Sequence, residues 1–395
     1  LIMIDFNFDD KCYGCSACES ICPKSCIKMI QNERGFYIPS INEKDCINCN
    51  MCDRVCQVLH FQEEKLTLPQ NIFASRSLDT DVLNKSSSGG VAYELSKKIL
   101  EIHGVVYGAA FDKNNKVCHI RVESMDELYK LQGSKYVQSN LKNVFKLLLE
   151  DLKNNKEVLF IGTPCQVNGL KMYLRKDYEN LLTCDLICHG TPSPKLLNSH
   201  FNCIEKDFNK KISNYNFRDK VYGWHYSKQS ITFIDGSKKL NSYWNYCFNR
   251  IFFFNYGFKN TCYSCKYTSP KRVSDITLGD FWGIDPHEFP FNDDKGVNLV
   301  FINTNNGKCF VDNYLYKQVI MHDKKIQDAL QYNLFFSSVK PKNNELFWND
   351  YLENGYEYVA NKYIGKRNYI IIRNTIKDYL ESKNILSKLK KVIKR

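Results

Sequence analysis

From residue 72 onward, short apolar runs alternate with longer amphipathic segments, as they do in α/β domains. The apolar runs are bounded by turn residues and predict buried strands at Ile72–Ser75, Val105–Phe111, Val117–Val122, Val158–Ile161 and Leu181–Cys188. Apolar residues at helical spacing predict helices at Gly90–Glu101 and Val144–Leu152. We therefore expect an α/β domain with a mixed sheet.

The chain is aromatic-rich and more strand-like between residues 214 and 310, and mainly helical beyond Ile326. Its most apolar stretch, Trp244–Phe258, is interrupted by polar residues, so we expect it in a buried core or a pocket wall, not in a bilayer. The tail Tyr369–Arg395 places apolar residues at near-helical spacing among lysines. Such a helix could make a peripheral contact with an anionic membrane, although packing on its own domain is favoured.

Upstream of this domain, the same cysteine pattern occurs twice. Each run has the spacing C-x2-C-x2-C-x3-C, in which the thiolates of two-cluster ferredoxins bind a pair of 4Fe-4S cubanes. In that motif the fourth cysteine of each run ligates the other cluster. The sequence therefore predicts two ligand sets, namely Cys12, Cys15, Cys18 and Cys56, and Cys46, Cys49, Cys52 and Cys22.

Zinc and disulfides explain these runs less well. Zinc sites usually pair two CxxC units across a longer spacer, and disulfide frameworks belong to short secreted chains. The second run departs from the motif at Gln57, where a proline is typical. From the sequence we expect this change to alter only the local turn.

Net charge does not indicate a nucleic-acid partner. The 395-residue chain carries a formal charge of +12, but residues 366–395 alone contribute +8 and the remainder is +4. No stretch combines basic and aromatic residues in the manner of nucleic-acid-binding modules. The density of thiols and the lack of a recognisable targeting signal lead us to expect a cytoplasmic protein.

Four further cysteines are candidates for a third metal site. Cys165 and Cys188 follow predicted strands, and Cys262 and Cys265 form a CxxC pair. Ligands collect at strand ends in open α/β sheets, so the four could converge on a third 4Fe-4S cluster. Buried structural cysteines, a redox-active CxxC or a zinc site are the alternatives.

Two loops could bind an anion. Ser87, Ser88, Gly89 and Gly90 precede the helix that runs to Glu101, and hydroxyls at a helix N-terminus suit a flavin pyrophosphate. An ordinary helix cap is an equally acceptable explanation. The loop that contains Ser134, Lys135 and Tyr136 could offer a cation and hydroxyls to a phosphate or to the edge of a flavin ring.

Taken together, these segments resemble the coenzyme F-420 hydrogenase/dehydrogenase beta-subunit family. The resemblance covers roughly three-quarters of the chain, and the segments that carry it are residues 87–90, 133–139, 162–166, 185–190, 217–224, 262–265 and 275–283. It implies a flavoprotein with FAD and 4Fe-4S clusters. It also supports the prediction of a third cluster, with Cys165, Cys188, Cys262 and Cys265 as ligands.

The resemblance further implies candidate site residues. The candidate flavin-binding residues are Ser87, Ser88, Gly89, Gly90, Ser134, Lys135, Tyr136, Gly162 and Thr163. The candidate catalytic residues are His189, which could protonate the substrate or the reduced flavin, and Lys135. Arg218 and Lys220 could pair with acidic substrate groups or be surface charges, and Asp280 could be a cap or a functional acid.

The expected organisation is a multidomain α+β and α/β protein. We predict a ferredoxin-like domain at residues 1–61, an FAD-binding and third-cluster domain at 71–325, and a helical region with a basic tail at 326–395. The expected function is electron transfer from a redox partner, such as ferredoxin or a dehydrogenase, through clusters and FAD to a small organic acceptor. The alternatives are an electron-transfer subunit of a hydrogenase or dehydrogenase complex, and a non-catalytic iron–sulfur scaffold or sensor.

Overall fold

The computed structural model describes residues 10–285, 287–329 and 331–382. Its first part is a small unit that contains both cysteine runs. Its elements are α1 (Ala17–Ile21), β1 (Ile27–Gln31), β2 (Tyr37–Ile41) and α2 (Met51–Arg54). β1 and β2 form an antiparallel hairpin, with Ile27 opposite Ile41, and its turn uses Gly35 at a φ of +83°. This hairpin separates the two runs and brings their ends together.

The remaining strands build two sheets. They are β3 (Asn71–Ser77), β4 (Val105–Phe111), β5 (Val117–Val122), β6 (Val158–Gly162), β7 (Leu181–Leu186), β8 (Ile212–Asp219), β9 (Lys228–Phe233), β10 (Lys238–Leu240), β11 (Ile276–Asp280), β12 (Asn298–Ile302) and β13 (Val319–Asp323). Eight of them form the main sheet in the order β13-β3-β12-β11-β7-β6-β4-β5. The pairs β4/β6, β6/β7 and β7/β11 are parallel and the other pairs are antiparallel, which confirms the predicted mixed sheet.

The helices cover this sheet and pack beside it. They are α3 (Thr80–Lys85), α4 (Val91–Glu101), α5 (Val144–Lys153), α6 (Pro164–Leu174), α7 (Pro194–Phe208), α8 (Tyr243–Phe253), α9 (Asn305–Phe310), α10 (Asn344–Val359) and α11 (Arg367–Ser382). The predicted strands and helices are confirmed to within one or two residues. The strands are apolar runs buried on both faces of the sheet, whereas the helices bury one apolar face. The main sheet brings the carboxyl ends of the parallel strands β6 and β7 to one edge.

A second core is built largely from aromatic side chains. The sheet β10-β9-β8 packs with α7, α8 and α10 around Phe217, Trp244, Phe248 and Trp348. The stretch Trp244–Phe258 is thus core, as expected, but it folds mainly as the helix α8, so the strand-like expectation for residues 214–310 was wrong at this point. The aromatic residues of α8 bury a helical face instead of alternating across a strand.

The small N-terminal unit and the main sheet share a hydrophobic core. Ala17 and Val55 are buried in the same cluster as Phe145, Val167 and Leu170 of α5 and α6. The connector between the units is held by the backbone of Thr67, which exchanges hydrogen bonds of 2.9 and 2.7 Å with Arg272. The cysteine runs are therefore fixed against the main sheet.

The C-terminal helix α11 is anchored near its start. Ile370 is buried, whereas Ile372 and Ile376 are exposed. The rest of the predicted tail helix, residues 383–395, lies outside the described residues. Within the described ranges, no helix is both long enough and apolar enough to cross a membrane.

Candidate functional site

The two cysteine runs repeat one backbone conformation. Gly14 and Ser16 flank Cys15 with φ values of 72° and 60°, and Asn48 and Asn50 flank Cys49 with 52° and 55°. Such left-handed residues turn successive backbone N–H groups towards one point, a geometry that binds anions and iron–sulfur centres. The short helices α1 and α2 then carry the third cysteine of each run. This fits thiolate groups wrapped by amide donors.

The first predicted set, Cys12, Cys15, Cys18 and Cys56, is brought together. Burial, together with the charges of Cys12 and Cys56, raises the pKa of Cys15 to about 12. Burial likewise raises the pKa of Cys18 well above its usual value, and Cys12, Cys15 and Cys56 act in the same direction. A cationic centre among these thiols would favour their ionised form.

The second set lines one cavity. Cys22, Cys46, Cys49 and Cys52 all border it. A fifth thiol, Cys26, lies in the same cavity with its Sγ 3.3 Å from Cys22 Sγ. Although burial acts to raise it, the pKa of Cys22 is lowered by the hydrogen bond from Cys26 and by nearby amides. Cys26 was not among the ligands predicted from the sequence, although its position four residues after Cys22 could have indicated it.

The third set meets at the edge of the main sheet. Cys165 lies in the first turn of α6, directly after β6, while Cys188 follows β7, and Cys262 and Cys265 lie in and after a short 3-10 turn. Burial raises the pKa of Cys165 well above its usual value, and the charges of Cys265, Cys188 and Cys262 add to this rise. The parallel pairing of β6 and β7 places the first two thiols together.

Two cations lie behind this third group. Lys259 is 3% exposed, and among the described residues its Nζ has no hydrogen-bond partner. Its charge acts on Cys262, lowering a pKa that burial and Cys265 raise. An ammonium buried in this way is costly unless a negative group accompanies it. Four thiolates around a 2+ cubane would carry a net charge of about −2, which suits this position.

The second cation, Arg272, is paired. Its guanidinium binds Asp185 with Nη2 2.9 Å from Oδ1, and the two residues are 2% and 0% exposed. Thr277 donates to the same carboxylate at 2.7 Å. The ion pair joins the end of β7 to the loop after the CxxC pair and so shapes the site from behind.

Gln57 connects the first and third cysteine groups, so our expectation that it alters only a turn was wrong. Its side chain is 1% exposed, and its Nε2 donates to the carbonyl oxygen of Cys165 at 2.9 Å. Its Oε1 accepts from the hydroxyl of Tyr267. A buried amide needs partners, and here they come from the other domain. The signal in the sequence was a glutamine at a position where the motif typically has proline.

The four-cysteine groups are not compact zinc sites. In tetrahedral zinc sites the sulfur atoms lie about 3.8 Å apart, given Zn–S bonds of about 2.3 Å. Across residues 10–285, 287–329 and 331–382, no three His, Cys, Asp or Glu side chains are grouped closely enough to hold a single metal ion.

The structure brings the two candidate anion loops together. The backbone N–H of Ser134 donates to the Ser87 hydroxyl at 2.8 Å. Part of the first loop is already engaged, because the Ser88 hydroxyl donates to Val297 and the Val91 N–H donates to Asn298. Gly89 approaches the neighbouring backbone so closely that an added Cβ would lie 2.5 Å from Ser75 O. The donors that remain for an anion lie on the Ser87 and Ser134 side.

Tyr136 and Arg218 form a polar patch beside these loops. Arg218 pairs with Asp280, which also accepts from Trp224 Nε1 at 2.8 Å. The guanidinium lies over the exposed ring of Trp282 at 5.1 Å, and its Nη2 is buried without a partner among the described residues. Thus Arg218 and Asp280 are a buried pair, and the surface-charge interpretation of Arg218 was wrong.

Three other predicted site residues, Lys220, Lys135 and His189, are held by contacts within the chain. Lys220 donates to the carbonyl of Ser88 at 3.0 Å and supports the serine loop instead of facing solvent. Lys135 donates to two carbonyls, and burial lowers its pKa to about 7. His189 packs against Phe252 at 5.1 Å, and its Nε2 is buried without a partner in the described part of the chain. Phe252 also stacks on Tyr136 at 4.6 Å, so His189 and Tyr136 flank one ring.

Gly162 and Thr163 are used mainly by α6. Thr163 caps the helix together with Gln166, and its hydroxyl lies 3.2 Å from Cys165 Sγ. A Cβ on Gly162 would lie 2.9 Å from the ring of Phe160. These two residues therefore shape the third cysteine group more directly than they shape a flavin pocket.

Two segments of the chain match known protein families. Residues 11–59 match the family described as 4Fe-4S dicluster domain, and residues 155–327 match the family described as the C terminus of the coenzyme F420 hydrogenase/dehydrogenase beta subunit. The chain therefore contains a dicluster domain followed by a segment that matches the C-terminal part of the beta-subunit family. It is an iron–sulfur electron-transfer protein related to those beta subunits. No curated protein matches the chain.

Solved structures also align with this chain. A chain from the F420-reducing NiFe hydrogenase complex of Methanosarcina barkeri has 18% sequence identity, with 77% of this chain and 94% of that chain covered, and a TM-score of 0.46. The family segment at residues 155–327 contains all four cysteines of the third group. Ser87 and Lys135 lie before that segment.

Proposed function

We propose that this chain is an iron–sulfur flavoprotein oxidoreductase that passes electrons from its dicluster domain to FAD and on to a small organic acceptor, deazaflavin-type or other. The observation that carries the proposal is the succession of three four-cysteine groups. The second group includes the exposed Cys49, and the four cysteines of the third group are partly buried at the sheet edge. The first group lies between them.

The residues of each group are suited to a cluster. Cys12, Cys15, Cys18 and Cys56 would hold the first, Cys46, Cys49, Cys52 and Cys22 the second, and Cys165, Cys188, Cys262 and Cys265 the third. Bound clusters supply one-electron transfer, and a bound flavin can store two electrons and deliver a hydride. The chain itself would hold the clusters close together and shield them from solvent, and it supplies the buried cation of Lys259 behind the third group.

The flavin would lie against the two joined loops. Ser87 and Ser134 offer polar groups 2.8 Å apart. Tyr136 offers an aromatic surface, and Arg218 offers its Nη2, which has no hydrogen-bond partner within the described ranges. This patch reaches the third cysteine group through Phe252 and His189. This arrangement supports the binding of a redox cofactor between Cys188, which follows β7, and the exposed ring of Trp282.

Two residues are our candidates for proton transfer. Burial brings the pKa of Lys135 to about 7, so its ammonium can release and regain a proton near neutral pH. His189 holds its Nδ1 3.4 Å from Asn333 Oδ1 and leaves Nε2 directed into the aromatic cluster. We assign Lys135 as the first candidate for proton transfer and His189 as the second.

The proposal is tested by anaerobic purification of the full chain and analysis of its iron, sulfide and flavin. Three clusters predict about twelve iron atoms per chain and two predict about eight. Cys262→Ser should remove about four iron atoms, one cubane's worth, while Cys309→Ser, at an exposed cysteine, should remove none. An unchanged iron content in Cys262→Ser, or wild-type protein without flavin, would contradict the corresponding part of the proposal.

A second candidate is an electron-transfer subunit of a larger hydrogenase or dehydrogenase complex. It is favoured by the family match to a beta subunit and by the exposure of Cys49 and of Ile47, which is 56% exposed, at the second cysteine group. Turnover of the isolated chain with reduced ferredoxin and a small acceptor would favour the free-standing enzyme. Turnover only after addition of a partner dehydrogenase would favour the subunit.

A further inference from the structure

The side chain of Gln57 has every hydrogen-bonding position occupied. One Nε2 proton is directed to the carbonyl oxygen of Cys165, 2.9 Å away, and the amide also bonds to the thiol of Cys15. Its Oε1 accepts from the Tyr267 hydroxyl and, at 3.5 Å, from Asn168 Nδ2. Two donors and two acceptor positions are all that an amide possesses, so the network is complete.

The neighbouring groups determine which way this amide points. Asn168 Nδ2 donates to the Tyr267 hydroxyl oxygen at 2.7 Å, which leaves the hydroxyl proton for Gln57 Oε1. The nitrogen of Gln57 must then face Cys165 and Cys15. Helix α6 approaches this point closely, since a Cβ on Gly169 would lie 2.5 Å from Cys15 Cβ. The amide is therefore locked between the two cysteine groups.

We propose that Gln57 is a positioning residue that couples the first cysteine group to the third, by holding Cys165 beside Cys15 and by donating a hydrogen bond to the Cys15 sulfur. This inference rests on the proposed function, because it assumes metal clusters on both groups. An apolar side chain of similar size would fill the same space, whereas only an amide donor reaches both groups at once.

The hydrogen bond predicts a direction for the reduction potential. Reduction adds negative charge to a cluster and its sulfur ligands, and an N–H donor stabilises that charge. Removal of the donor should therefore lower the potential of the first cluster, making it harder to reduce. The third cluster loses no sulfur donor from Gln57, since the contact there is to the carbonyl of Cys165.

The test compares Gln57→Leu with Gln62→Leu, the same substitution at an exposed glutamine. Anaerobically purified full-length proteins are analysed for iron and sulfide and then titrated reductively under electron paramagnetic resonance. In Gln57→Leu we expect the same iron content as in the wild type. The ratio of reduced first cluster to reduced third cluster should fall about tenfold, which corresponds to a potential about 59 mV lower for a one-electron couple. Gln62→Leu should match the wild type.

Tyr267→Phe is the second variant. It removes the hydroxyl that orients the amide and changes no cysteine, so it should shift the same potential in the same direction by a smaller amount. If Gln57→Leu loses iron, Tyr267→Phe decides the question. Unchanged potentials in iron-replete variants would overturn the role of Gln57 and leave the proposed function intact. Wild-type protein without the third cluster would overturn both.

Discussion

Replacing Arg272 with methionine should strongly destabilise the third cysteine site. The guanidinium is buried and donates five hydrogen bonds of 2.9 to 3.3 Å to Asp185 and to backbone carbonyls. Two of them bind Asp185, and the others reach the carbonyls of Tyr267, Ser269 and Leu186. Arg272 thus ties the end of β7 to the loop that follows the CxxC pair.

The expected magnitude follows from what the substitution leaves behind. Asp185 is 0% exposed and would retain the hydroxyl of Thr277 as a donor but no cation. Removal of one partner of a buried ion pair costs about 3–5 kcal/mol, because the other charge stays buried. For a domain of this size, that corresponds to a fall in Tm of about 6–20 °C.

The assay is thermal unfolding of the anaerobically purified protein, followed by circular dichroism at one fixed heating rate. Lys271→Met is the matched control, since Lys271 is the exposed neighbouring cation. The double variant Arg272→Met/Asp185→Leu removes both charges. It should recover much of the lost stability, because the uncompensated carboxylate is gone.

Two results would refute this reasoning. If Arg272→Met lowers the Tm no more than Lys271→Met, the buried ion pair is not holding the site. If the double variant is as unstable as Arg272→Met, the loss comes from the three carbonyls and not from the charge of Asp185. Iron content measured on the same samples separates loss of stability from loss of a metal centre.

Three other predictions concern single side chains near the cysteine groups and the loops. Burial lowers the pKa of Lys135 to about 7, so between pH 7 and 10 the unfolded chain binds more protons than the folded chain. The free energy of unfolding of the wild type should therefore rise with pH relative to that of Lys135→Met. Parallel pH profiles of the two proteins in urea unfolding would contradict this. Lys259→Met removes the buried cation near Cys262 and should lower the reduction potential of the proposed third cluster, measured by redox titration; an unchanged potential would exclude that role. Cys26→Ser should retain the iron that Cys22→Ser loses, and the opposite result in iron analysis would assign Cys26 as the ligand.

Much of the architecture could be predicted from local sequence. Strands such as Val105–Phe111 were located correctly because a run of apolar residues buried on both faces leaves a continuous pattern. The stretch Trp244–Phe258 was predicted less well, since an apolar run can be buried as either a helix or a strand. The flavin loops remain a proposal, because their hydroxyls are partly engaged by the chain itself.

The sequence by itself determined the two cysteine runs, since ligand spacing and the turns at Gly14 and Asn48 are local properties of the chain. Only the tertiary structure decided that Cys165, Cys188, Cys262 and Cys265 meet, because their convergence depends on the parallel pairing of β6 and β7 and on a distant loop. It also decided the role of Gln57. A side chain's local pattern does not reveal which distant carbonyl will accept its hydrogen bond, and that partner exists only when the two domains are packed together.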